Sequence, residues 1–150
     1  MHLYDTAARA VRPFEPAGDT VSLYVCGITP YDAAHLGHAF TYHVFDVVTR
    51  RLAAAGRRVR SVRNVTDVDD DIFRVARERG VRPQDLTREQ VARFDREMAA
   101  IDILPVSAAP LASEYVPQMV DWIDKLERAG IAYANQGWVY FEVTKFTRYG

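Results

Sequence analysis

The chain has 150 residues, 49% of them hydrophobic and 26% charged, which is enough to bury a core and too apolar for a disordered or fibrous protein. With 19 Lys and Arg against 20 Asp and Glu the formal charge is -1, so a polyanion partner would need a local basic patch or another domain. A single cysteine rules out an internal disulfide framework, no apolar run is long enough to span a bilayer, and the N-terminus lacks a signal-peptide layout; a cytoplasmic protein without a membrane partner is expected.

Residues 1–19 show little periodicity and are expected to form a lead-in segment closed by Pro13, Pro16 and Gly18. Val21 to Cys26 is a short β-branched and aromatic run, the pattern of a strand. Gly27 to Asp32 carries turn chemistry, with Gly27 and Pro30 expected to interrupt any regular element. From Leu36 or Gly37 onward, Tyr42, Phe45, Val48 and Leu52 recur on one helical face, Val44 and Val47 widen it, and Gly56 is the stop. Val59 to Val65 reads as a second strand. Strand, helix and strand make a βαβ unit, whose strands are expected to be parallel with a right-handed crossover.

Thr66 to Asp71 closes that strand and caps a helix whose apolar side is Ile72, Phe73, Val75 and Ala76, ending before Gly80. Thr87 with Gln90 has capping-box spacing and is expected to open a helix through about Ile101. Leu104 to Pro110 reads as a connector. Ser113 or Glu114 opens a further helix closed by Gly130, and Ile131 to Ala134 with Trp138 to Val143 forms a hairpin turning at Asn135–Gly137. No closing element precedes Tyr149–Gly150, as expected of part of a longer domain. Arg50, Arg51, Arg57, Arg58, Arg60 and Arg63 read as a solvated helix end and strand edge.

The chemistry concentrates between Val25 and Tyr42. Ligands of an open parallel sheet bind beyond the carboxyl ends of its strands, where helix N-termini direct free N–H groups at anions. Cys26 ends the first strand there and Asn64 to Thr66 end the second. His35, Gly37 and His38 start the intervening helix. Gly37 would let a phosphate or nucleobase approach the backbone, and the two imidazoles could donate to phosphate oxygens. Taken alone, Cys26 is more often a small buried hydrophobe than a ligand. The three-residue spacing of His35 and His38 does not match a zinc pair on one helix face. Asp67, Asp69, Asp71 and Glu78 follow calcium-loop spacing, but Ile72 stands where that loop needs glycine. Capping of a helix N-terminus is the alternative.

C-G-I-T-P-Y-D-A-A-H-L-G-H at Cys26 to His38 and N-V-T-D-V-D-D at Asn64 to Asp70 resemble blocks of class I cysteinyl-tRNA synthetases. S-E-Y-V-P-Q-M at Ser113 to Met119 and V-Y-F-E-V at Val139 to Val143 are similar to the same family. The related mycothiol-pathway ligase, which joins cysteine to glucosaminyl-inositol, shares the catalytic domain. C-G-I-T-P-Y-D and L-Y-D-T (Leu3 to Thr6) look more like that ligase, while the blocks after Ser113 look more like the synthetase. Phe40 and Asp71 stand where the synthetases commonly have arginine and lysine.

The resemblance implies an α/β, Rossmann-like parallel-sheet fold, present as its N-terminal half: about 20–105 as nucleotide-binding core and about 106–150 as the start of a helical and hairpin insertion. It implies ATP-dependent activation of L-cysteine to cysteinyl-adenylate and transfer to tRNA(Cys), or, alternatively, to the amino sugar. His35 and His38 are the implied catalytic residues, and His35, Gly37, His38 and Thr41 the implied nucleotide site. The implied cysteine site is Cys26, Gly27, Ile28, Thr29, Asn64, Val65 and Thr66. Zn²⁺ would bind the substrate thiolate with Cys26 as one ligand, the others and the K-M-S-K-S loop lying later in the family's domain. ATP would be a substrate, with Mg²⁺. On this basis the 150-residue chain alone would be inactive. A non-catalytic nucleotide- or cysteine-binding remnant is the reading from a different class.

Overall fold

Two parallel strands form the centre of the first of two units, Met1–Pro110 and Leu111–Gly150, in a computed structural model that describes residues 1–149. Ahead of them, β1 (His2–Asp5) and β2 (Ala10–Pro13) pair antiparallel, so residues 1–19 contain a hairpin where a lead-in segment was expected. Each of these strands has four residues, almost all exposed, so no burial pattern marks them.

The strand β3 (Thr20–Ile28) pairs in parallel with β4 (Arg58–Val65), and α1 (Leu36–Ala54) connects them, as the βαβ pattern predicts. Val21 and Val25 are buried while Thr20, Ser22 and Tyr24 face out, the alternation of a strand covered on one face. Gly27 does not interrupt β3, contrary to its reading as turn chemistry. The register steps from Val25↔Arg63 to Ile28↔Val65, so Cys26 and Gly27 together face Asn64 in a β-bulge.

Leu104 to Pro110, expected as a connector, runs along the free side of β4. Val62 bridges Ala108 in parallel, and the Ser107, Arg63 and Val65 amides donate to the carbonyls of Ser61, Ala108 and Pro110. Pro105 and Pro110 hide this strand-like stretch in the sequence because proline signals a break.

Two helices follow β4. The first, α2 (Asp70–Arg79), ends at Gly80 with φ 67°. The second, α3 (Pro83–Ala100), begins with proline in its first turn and Arg82 as N-cap. Thr87 and Gln90 therefore do not cap it: they lie in its second turn and beyond, 6% and 4% exposed, on the inner face. Val25 and Ile28 pack with Tyr42 of α1 and with Phe94 and Met98 of α3, while Ile72, Val75 and Ala76 of α2 meet Leu86 of α3. Each buried side chain of this size contributes about 2 kcal/mol.

Arg63 departs from the solvated reading of the basic cluster. It is 6% exposed, ion-paired to Asp95 at 2.9 Å, and its guanidinium lies over the Phe94 ring at 4.5 Å. Alternation along β4 places it on the core face beside Val65, and the aromatic rings and carboxylate make the burial tolerable.

In the second unit a 3₁₀ turn at Ala112–Tyr115 leads into α4 (Val116–Arg128), followed by the antiparallel pair β5 (Ala132–Asn135) and β6 (Trp138–Phe141). The two-residue turn has Gln136 at φ 52° and Gly137 at φ 83°, the left-handed pair a tight hairpin requires. Among the described residues no helix is long and apolar enough to cross a membrane.

Candidate functional site

Cys26 is exposed at the carboxyl end of β3, which removes the reading of it as a small buried core residue. Strand alternation explains this position: Cys26 follows Val25 and so points away from the core, while the extra residue of the bulge returns Ile28 to the core face. A Cβ built on Gly27 would lie 1.5 Å from the Asn64 carbonyl oxygen, so no other residue can occupy that place without moving the strands apart.

Polar side chains take over where the ladder is irregular. The Gly27 amide and the Tyr24 hydroxyl both donate to Asn64 Oδ1 at 2.8 Å. Asn64 Nδ2 donates to Thr66 Oγ1 at 3.1 Å, and the Thr66 amide donates to the Ile28 carbonyl at 2.9 Å. From the core side the Tyr42 hydroxyl donates to the Cys26 carbonyl at 3.1 Å. Burial pushes that hydroxyl above its ordinary pKa while the Arg63 guanidinium, 5.4 Å from its ring, opposes the shift; it remains a donor at neutral pH.

The start of α1 is built from its own histidines. His35 is the N-cap, and its Nδ1 accepts from the Gly37 amide at 3.1 Å. His38 Nδ1 accepts in return from the His35 amide at 3.2 Å. This is a capping box made of two imidazoles, whose rings stack with centroids 4.0 Å apart. With both Nδ1 atoms accepting, the neutral rings carry their protons on Nε2. Burial, then the neighbouring His35, lowers the pKa of His38 from 6.5. Gly37 serves the cap as much as any ligand: a Cβ there would sit 3.0 Å from the His35 ring.

The residues expected at the site therefore fall into distinct settings. Cys26, Gly27, Asn64 and Thr66 are joined at the strand ends, and His35, Gly37 and His38 are joined at the helix start. Thr41 turns back to the Gly37 carbonyl at 3.0 Å within its own helix. Thr29 is half-buried, its carbonyl accepting from the Tyr31 amide at 3.0 Å. Ile28 and Val65 are 7% and 1% exposed, with side chains in the core. The helical recurrence marks Tyr42 only as part of an apolar helix face. Its polar tip, which needs a partner once buried, was the available signal. Beyond β4, the Asp69 carboxylate accepts from the Asp71 amide at 2.9 Å as N-cap of α2, and Asp71 pairs with Arg74 at 2.7 Å.

Among the described residues no three His, Cys, Asp or Glu gather as a metal-holding group. Cys26 fits the demand of zinc for an accessible sulfur, as one donor of a tetrahedral set.

The family model described as tRNA synthetases class I (C) catalytic domain matches residues 13–150. The cysteine--tRNA ligase of Polaromonas naphthalenivorans is 45% identical over 152 residues, covering 100% of this chain and 33% of the relative. The L-cysteine:1D-myo-inositol 2-amino-2-deoxy-alpha-D-glucopyranoside ligase of Mycobacterium ulcerans is 47% identical over 137 residues, covering 91% and 33%. The chain thus spans about a third of the length of these curated relatives. Among solved structures, the Agrobacterium radiobacter LeuRS in a ternary complex with tRNA and LeuAMS superposes with a TM-score of 0.65 at 22% identity, over 79% of this chain and 16% of that one. That likeness is one of fold, and it agrees with the Rossmann-like α/β architecture expected from the motifs. The chain belongs to the class I cysteinyl-tRNA synthetase catalytic-domain family.

Proposed function

We propose that the protein carrying this chain activates L-cysteine with ATP and transfers the cysteinyl group to tRNA(Cys). The cysteine carboxylate attacks the α-phosphorus of ATP; a carboxylate–phosphorus bond forms as the bond to pyrophosphate breaks. The observation that carries the reading is the exposed Cys26 thiol, held on a glycine-dependent bulge at the carboxyl end of β3, in a chain whose next helix starts with the His35–His38 cap.

In this reading no side chain acts as nucleophile. The Nε2–H groups of His35 and His38, left free by the cap, stabilise phosphate oxygens as charge builds on them. Gly37 keeps that turn open. Thr41, spent on its own helix, supports the turn, while Thr29 and Thr66 border the cysteinyl group. Ile28 and Val65 offer main chain rather than side chain. A zinc ion held by Cys26 and donors outside the described residues would select the substrate by its sulfur, since serine forfeits a metal–sulfur bond. Mg²⁺ would accompany ATP.

The nucleotide-binding core, expected at about 20–105, then extends through 106–110 beside β4, and the insertion starts after Pro110. A reducing cytoplasm keeps Cys26 a free thiol. Cysteine-dependent ATP–pyrophosphate exchange in the full-length protein, with serine as control, tests the activation step; exchange that ignores cysteine overturns it.

The 47% identity to the amino-sugar ligase supports a second acceptor, glucosaminyl-inositol, with the same activation. Single-turnover transfer from preformed cysteinyl-adenylate to each acceptor separates the two.

A further inference from the structure

The Cys26–Gly27 peptide group is held at both ends by side chains. Its carbonyl oxygen accepts from the Tyr42 hydroxyl at 3.1 Å, and its N–H donates to Asn64 Oδ1 at 2.8 Å. The two partners come from different elements: Tyr42 rises from α1 within the core, and Asn64 lies on β4 with the exposed Tyr24 bonded to the same oxygen. A bulge is where strand geometry is least determined by the ladder, and this one has two anchors. Both anchors are themselves fixed. Tyr42 is 7% exposed, edge-on to Phe94 at 5.2 Å and under the Arg63 guanidinium, which Asp95 holds. Asn64 Nδ2 is engaged by Thr66.

We infer that Tyr42 and Asn64 are positioning residues that clamp the Cys26–Gly27 peptide plane and so set the direction of the Cys26 thiol. This rests on the cysteine-activation reading for its consequence, and on geometry alone for the clamp. It also changes the role of Asn64. Both lone pairs of Oδ1 and one N–H of Nδ2 are already committed, so Asn64 acts chiefly through the bulge and keeps only its second N–H for any contact to cysteine. Tyr42 and Asn64 therefore favour substrates that need an accurately aimed sulfur at residue 26, which is a demand of thiol-bearing amino acids and not of ATP.

Tyr42→Phe removes one oxygen and keeps the ring in the core. In the full-length protein it should raise KM for cysteine about fivefold, the factor given by one ordinary hydrogen bond, while KM for ATP stays within about twofold. Amide exchange at Gly27, resolved by fragmentation mass spectrometry, should accelerate by a similar factor relative to the amides of α3, with the melting temperature lowered by only a few degrees. Asn64→Ser should accelerate the same amide more, because it removes the acceptor itself. Unchanged Gly27 exchange in both variants overturns the clamp whatever the activity. Faster exchange with an unchanged KM for cysteine, or an equal rise in both KM values, overturns its link to the thiol. Should the parent protein show no exchange reaction with cysteine, the functional reading falls, and Gly27 protection alone still decides whether the clamp exists.

Discussion

His35 and His38 cap the same helix for each other: each Nδ1 accepts a main-chain N–H of the first turn, and the rings stack 4.0 Å apart. The arrangement spends the two δ nitrogens on structure and leaves two ε nitrogens as donors. His38→Ala removes one cap bond and one donor. Stability should fall by about 1 kcal/mol, the usual loss of a cap, and kcat for adenylate formation by about 100-fold or more, as for a lost oxyanion donor. His38→Asn, which can still accept from the His35 amide, should restore most of the stability and little of the rate. Denaturant melts and pre-steady-state adenylate formation check the two halves separately.

The cap also fixes a pH dependence. His38 titrates below 6.5 in the folded chain because burial, and then His35, disfavours its cation. The unfolded chain therefore binds the proton first as pH drops. The contribution of His38 is complete above about pH 6.5 and is lost as pH falls through its folded value. Protonated Nδ1 cannot accept from the His35 amide, so the cap opens over the same range. Unfolding free energy measured from pH 7.5 to 5 should decline more steeply in the parent protein than in His38→Asn; equal slopes would remove His38 as the titrating group.

Gly27→Ala is expected to be among the most damaging substitutions in the chain. Its Cβ would fall 1.5 Å from a main-chain oxygen of Asn64, which has no rotamer to escape by. Separating β3 from β4 at that point should cost about 3 kcal/mol or more, in the range of overpacked cores. Gly37→Ala meets only the His35 ring, at 3.0 Å, and that ring can turn away. It should lower the melting temperature by only a few degrees, through loss of the cap, with KM for ATP rising. Comparing the melting temperatures of the two variants checks the contrast.

Arg63 and Asp95 are an unequal pair. The arginine side chain is 7% exposed and the aspartate 59%. Arg63→Ala opens a cavity against Phe94 and Tyr42 and should lower stability by about 2 to 4 kcal/mol. Asp95→Asn leaves a hydrogen-bond acceptor and loses only a screened attraction, about 1 kcal/mol or less. A double-mutant cycle measures the coupling directly.

Much of the first unit was legible locally. The β-branched and aromatic run of Val21 to Cys26, the helical recurrence of Tyr42 to Leu52 and the stop at Gly56 are short-range signals, and each matches an observed element. The His35-Leu36-Gly37-His38 cap is equally local, since all its bonds span at most three residues. Where one reading misled, either a stronger local signal or a partner distant in sequence decided the outcome. Pro83 displaced the start that Thr87 and Gln90 suggested; Arg63 was buried by Phe94 and Asp95, some 30 residues on. Residues 106–110 became strand-like only beside β4.

The Val25 to Tyr42 stretch, by itself, determined that a thiol, a glycine turn and two imidazoles would lie at the end of a strand and the start of a helix, because their order along the chain is enough to place them there. Only the tertiary structure decided how the Cys26–Gly27 peptide group is held. That outcome depends on Asn64 meeting Gly27 across the sheet and on Tyr42 reaching the Cys26 carbonyl from the core. Bonds between residues 16 and 37 positions apart exist only once both strands and the helix have packed, and no periodicity in the sequence encodes them.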